Sequence, residues 1–143
     1  NIDFDAALTG AATGKYDMAV AGITANDDRK KNMNFSVDYY TASQAIIVMS
    51  DSEIATAADL SGKTIACQEG TTGEQYLMDN ISSKQNGTTK VLDEALTKEA
   101  YAIALEKGDE ELTKEINKAL EELKADGTLA KIFEKYDLPY DAE

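Results

Sequence analysis

An α/β fold is predicted for this chain of 143 residues by three observations. Short apolar runs rich in β-formers alternate with segments whose apolar residues recur at helical spacing. Two of those runs end in turns rich in Gly and Thr, as strands do where they feed a helix. The composition, 43% hydrophobic and 29% charged, is that of a packed chain and too apolar for disorder.

The elements follow in order. Phe4 to Ala12 predicts a small-residue helix ended by Gly14-Lys15. Tyr16 to Ile23 (YDMAVAGI) is a short apolar run bounded by turn signals, as expected of a strand buried on both faces. Gln44 to Met49 (QAIIVM) is again β-rich. After the Asp59–Gly62 turn, Lys63 to Gln68 (KTIACQ) predicts a further strand, with Cys67 as a plain buried thiol. Gly70-Thr71-Thr72-Gly73 leads into a helix over Glu74 to Ile81, and the polar stretch Ser82 to Thr89 is the best linker candidate. Tyr101 to Leu105 predicts a strand. Asp109 is a candidate N-cap, with Glu110 and Glu111 in the first helical turn, where the helix dipole favours acids. Leu112, Ile116, Ala119, Leu120 and Leu123 mark one helical face, and Gly127 offers a left-handed stop. Leu129, Ile132, Phe133 and Tyr136 repeat the pattern before Pro139. No internal repeat is present.

Charge and residue types exclude several functions. Fourteen Lys and Arg against 27 Asp and Glu give a net charge of −13. Such a surface opposes sequence-independent binding to nucleic acid and docking on anionic lipid, since both need surplus cations. With one cysteine there is no internal disulfide or thiolate cluster. The lack of histidine removes His-based triads and most zinc sites. Asp27-Asp28 lacks the loop and closing Glu of an EF-hand, so no metal and no cofactor is expected. Apolar runs fall far short of the ~20 residues that cross a bilayer.

Two segments share one design. Ala21-Gly22-Ile23-Thr24 with Arg29 close behind, and Gln68 to Gly73 opening a helix, each join a strand-like run to a Gly/Thr turn. Ligands of open α/β sheets sit beyond the carboxyl ends of strands. Glycine admits a ligand to the backbone, threonine adds a hydroxyl, and N–H groups at a helix start point at an anion. Arg29 can grip a carboxylate with two parallel hydrogen bonds, which lysine cannot. The pattern describes a small anionic group held between two turns. The G-x-x-x-x-G-K-[ST] pattern of a P-loop is missing.

The strings GKYDMAVAGITANDDRKKNMNFSVDYYTASQAIIV, ADLSGKTIACQEGTTGEQY and AYAIALEKGDEELTKEINKALEELKADGTLAKIFEKY resemble, in order and wording, the bacterial extracellular solute-binding proteins of amino-acid ABC transporters. The resemblance covers most of the chain and is most specific at AGIT…R and FSVDYYTASQ. It implies a type II periplasmic-binding-protein fold, two α/β lobes joined by two hinge strands. Residues 1–43 plus 101–143 would form the first lobe with the hinge strands, and 44–100 the second. Tyr39 to Ser43 and Tyr101 to Leu105 match the crossings. By position, Gly22, Thr24 and Arg29 would hold the α-carboxylate of the ligand and Phe4 would lay its ring beside it. Thr72 would contribute from the second lobe, and Gln68 stands where the family often selects the ligand side chain.

The implied activity is capture of a free polar or charged amino acid and its delivery to a membrane permease. The implied place is the periplasm or, lipoprotein-anchored in a Gram-positive, the outer face of the membrane. The family carries further residues ahead of Ile2-Asp3-Phe4 and between the helix after GTTG and LDEALT, where Gln85-Asn86-Gly87-Thr88 stands here. That stretch normally supplies the acid for the ligand's α-ammonium. The chain is therefore expected to be a fragment or a sequence with segments left out. A complete polypeptide of this length would be expected to form a strand-exchanged or edge-paired oligomer. Two rival readings are a ligand-incompetent, domain-swapped module of the same fold and a dehydratase or wall-cleaving enzyme on that fold.

Overall fold

The computed structural model describes residues 2–81, 90–95 and 97–140, with the backbone alone for 90–95. The linker candidate Ser82 to Thr89 lies outside the described residues. Two compact units are formed, residues 1–41 with 100–143 and residues 42–99.

In the first unit, α1 (Phe4–Ala12) opens on Asp3, whose carboxylate accepts the N–H groups of Asp5 and Ala6. It leads to β1 (Met18–Thr24), the short helix α2 (Asp27–Lys30), β2 (Met33–Phe35) and β3 (Tyr40–Ala42). The chain returns with β6 (Glu99–Glu106), α4 (Glu110–Ala125) and α5 (Thr128–Lys135). The sheet runs β1-β6-β2, with β3 also paired to β6, and β1 and β2 are both antiparallel to β6. Along β6, Ala102 and Ala104 alternate with Ile103 and Leu105, and all four are buried. Leu8 and Ala11 of α1 join Ala19, Ile23, Met33 and Ala104 in one cluster. Leu120 of α4 joins Ile103 and Leu105 in another, with Leu112 and Ile116 packed against it. A strand covered on both faces reads as a continuous apolar run, and β6 is that strand.

The expectation of a doubly buried strand at Tyr16 to Ile23 is corrected. In β1 only Ala19 and Ile23 are buried, while Met18 and Val20 are exposed, 59% in the case of Val20. α1 packs against Ala19 and Ile23, and neither Met18 nor Val20 belongs to a core cluster, so this strand lacks the cover on both faces that β6 has.

α4 and α5 form as their spacing predicts. Asp109 accepts the Leu112 N–H as N-cap, and Gly127, at φ 74°, separates the two helices in the left-handed conformation.

The second unit holds β4 (Ala45–Val48) paired antiparallel with β5 (Lys90–Ala95), and α3 (Thr72–Asn80). Ile46, Val48 and Leu60 form its core, with Ile54, Ala57, Ile65 and Ile81 packed against them. Two further expectations are corrected. Lys63 to Gln68 is part of no strand and makes no ladder with any described strand. Propensity for strand is largely a fit to cross-strand neighbours, and none of the described strands pairs with this run. Cys67 is accordingly exposed rather than a buried thiol.

Candidate functional site

Four of the singled-out residues converge in the first unit. Ala19 stands opposite Ala104 and Ile23 opposite Ala102, so Val20, Ala21 and Gly22 face Ile103 alone. This bulge removes Ala21 and Gly22 from regular pairing, and bulges of this kind re-aim a strand beside a site. Gly22 has φ 59°, and a Cβ there would meet Tyr101 Cε2 at 3.2 Å, so the position suits glycine twice over. The Tyr39 phenol is raised above its ordinary pKa by burial, partly offset by a hydrogen bond with the Gly22 backbone.

Thr24 ends β1, and Asn26 caps α2 by accepting the Arg29 N–H at 2.9 Å. The Arg29 side chain reaches back, and Nη1 donates to the Thr24 carbonyl at 3.0 Å. Its guanidinium lies over the Phe4 ring, 5.6 Å from the centroid. Both contacts hold a planar cation in place beside the end of β1. Lys31, two residues on, pairs instead with Asp28 and is exposed.

The second unit contributes a different arrangement. Thr71 is the N-cap of α3, accepting from Glu74 N–H, while Glu74 Oε2 accepts the Gly70 N–H at 2.8 Å. Thr72 and Gly73 begin the helix, where N–H groups have no intrahelical acceptor. Gln68 is exposed, and its carbonyl accepts the Thr71 hydroxyl at 2.7 Å.

Around Thr72 lie three side chains that the sequence reading passed over. Its hydroxyl accepts from Gln44 Nε2 at 3.0 Å and donates to Glu99 Oε2 at 3.1 Å. Thr97 donates to Glu99 Oε1 at 2.6 Å and accepts the Gln44 backbone N–H at 3.0 Å. No periodicity links positions 44, 72, 97 and 99. The one available signal was an acid directly before an apolar strand.

Among the described residues no group of three or more acid, cysteine or histidine side chains could hold a metal. No described helix is long and apolar enough to cross a membrane.

Residues 1–139 match the bacterial extracellular solute-binding proteins, family 3. The chain belongs to this family. Among curated solute-binding proteins it is 28% identical to the L-cystine-binding protein TcyJ of Escherichia coli K12, over 93% of this chain and 64% of that protein. It is also 28% identical to the arginine-binding extracellular protein ArtP of Bacillus subtilis, over 95% of this chain and 69% of that protein. The chain thus spans about two-thirds of the length of these relatives. An ancestral arginine-binding protein solved bound to glutamine is similar at TM-score 0.83 and 32% identity, over 94% of this chain and 76% of its own. These solute-binding structures carry the type II periplasmic-binding-protein fold, and the α/β architecture described above is of that class. Both curated relatives are named for the amino acid they bind, and neither for a reaction.

Proposed function

We propose that this chain is the ligand-binding part of an amino-acid receptor that hands its cargo to the permease of an ABC transporter outside the cytoplasm, with no bond made or broken. The observation that carries the reading is the Phe4–Thr24–Arg29 cluster beside the Gly22 bulge, in a member of an extracellular solute-binding family. A carboxylate fits there. Arg29 would meet it with two parallel hydrogen bonds, the Thr24 hydroxyl would add a third, and the Phe4 ring would lie along the apolar part of the ligand. Thr72, the first N–H groups of α3 and Gln68 are proposed as the contribution of the second unit.

The ligand class is a free polar or charged amino acid, in keeping with relatives named for arginine and L-cystine. Tyr40–Ala42 and the start of β6, where the chain passes between units, are proposed as hinges. Anchoring by a lipid belongs to the same proposal.

Calorimetry with arginine, lysine, glutamine and cystine tests the reading. One of them should bind, and Arg29→Ala should weaken it by about 3 kcal/mol, roughly a hundredfold, by removing a charge-assisted pair. Arg29→Lys should recover only part of the loss. Affinity unchanged in Arg29→Ala would sink the assignment.

A further inference from the structure

Glu99 is 3% exposed, and no other charged side chain among the described residues is buried. Removing a carboxyl group from water is costly unless its oxygens are hydrogen-bonded, so the surroundings of this one call for an explanation. The bonds form a closed ring that begins and ends on Gln44. The Gln44 backbone N–H donates to Thr97, Thr97 donates to Glu99, Thr72 donates to Glu99, and the Gln44 amide donates to Thr72.

The ring has one direction. Both Gln44 groups are donors, so each threonine oxygen must accept from Gln44 and send its single proton to Glu99. Gly73 leaves the room this requires, since a Cβ there would stand 2.8 Å from Gln44 Oε1.

We propose that Glu99 is the positioning residue of the second unit: it accepts the Thr72 hydroxyl hydrogen bond and so makes the Thr72 oxygen a fixed acceptor toward a ligand. One residue then offers two unlike groups, an N–H at the start of α3 for an anion and an oxygen lone pair for a donor next to it. The neighbouring anion and donor of an α-amino acid are its carboxylate and its α-ammonium. Glu99 thereby sets a demand for the ammonium without touching it. The ligand half of this inference rests on the proposed amino-acid site, while the proton assignment does not.

Two readouts separate them. In NMR spectra of the 143-residue protein at low temperature, Thr72 and Thr97 should show hydroxyl protons protected from exchange, and Glu99→Gln should abolish at least one. A glutamine there brings an N–H donor that forces a threonine to turn its proton elsewhere. Missing hydroxyl signals, or signals unchanged in a folded Glu99→Gln protein, overturn the proposal.

The second readout compares arginine with 5-guanidinopentanoate, which keeps the carboxylate and guanidinium and lacks the α-ammonium. The preference for arginine should shrink by about tenfold in Glu99→Gln, the size of one hydrogen bond with a group left unpaired. Thr72→Val should reproduce that change and Thr72→Ser should restore the preference. A role in packing alone would lower stability and leave the preference as it was, which overturns the proposal. If the unsubstituted protein binds no amino acid, the site reading and the ammonium demand fail together, and the hydroxyl resonances decide the proton assignment.

Discussion

Replacing Gly22 by alanine should destabilise the protein through two separable causes. The first is conformational. At φ 59° an L side chain sits in the left-handed region, at roughly 1–2 kcal/mol, offset by the ~0.4–1 kcal/mol that alanine gains by restricting the unfolded chain. The second is steric. The new methyl would lie 3.2 Å from Tyr101 Cε2, and the ring is held by its neighbour Tyr40, with centroids 6.0 Å apart. Overpacking of this kind costs about 1 kcal/mol or more, so the total is about 2 kcal/mol.

Two other glycines isolate the causes. Gly62 has φ 71° and nothing within 4 Å of a Cβ, so Gly62→Ala should lose about 1 kcal/mol or less, from backbone alone. At Gly73 the obstacle is the far end of a side chain, so Gly73→Ala should stay within about 1 kcal/mol of the parent, since alanine also favours the helix. Urea unfolding followed by far-UV circular dichroism, at constant slope, reads all three. A Tyr101→Leu background should remove the steric part of the Gly22→Ala loss and spare the rest. The reasoning is refuted if Gly22→Ala costs no more than Gly62→Ala.

Three further outcomes are expected. Ile23→Ala should lose about 2–5 kcal/mol because Ile23 is fully buried, whereas Val20→Lys on the same strand should change stability by about 0.5 kcal/mol or less; equal losses in urea would contradict the burial pattern. The Asp59 carboxyl group is held below its ordinary pKa by the Ala55 and Thr56 N–H groups and the Thr56 hydroxyl. Its contribution is therefore complete above the unfolded pKa and disappears as pH falls through the depressed folded value. Asp59→Asn should flatten the acid limb of the stability curve, and an unaltered limb would argue against the turn. Cys67 should react stoichiometrically with a thiol reagent in the native protein, and a thiol that reacts only after unfolding would contradict its exposure.

What the sequence disclosed depended on whether the cause was local. α4 was legible end to end because its apolar spacing, its Asp109 cap and the Gly127 stop lie within the element itself. The strand at Lys63 to Gln68 was misread because pairing requires a partner, and composition carries no record of whether one stands alongside. The same lack hid the burial of β1, whose apolar run is like that of a central strand although it lies at the end of the sheet order. At the candidate site, Arg29 and Gly22 stand out through residue type, one by charge in an acidic chain and the other by the turn it permits. Glu99 did not, because its partners Gln44 and Thr72 lie far away in the chain and meet it only through folding.

β1, β2 and β3 all pair with β6, and β6 is encoded after nearly the whole of the second unit. A nascent chain therefore presents β1 and β2 to solvent with their common partner still unmade. The contiguous stretch 42–99 can close its contacts first, and the unit that contains the start of the chain is finished last. Loop closure across the inserted stretch must precede any of those ladders, and contacts of such large sequence separation form slowly. The three ladders also share one fate in the finished protein. An opening that frees β6 exposes the amides of all of them together, so they should exchange with deuterium as a single cooperative block.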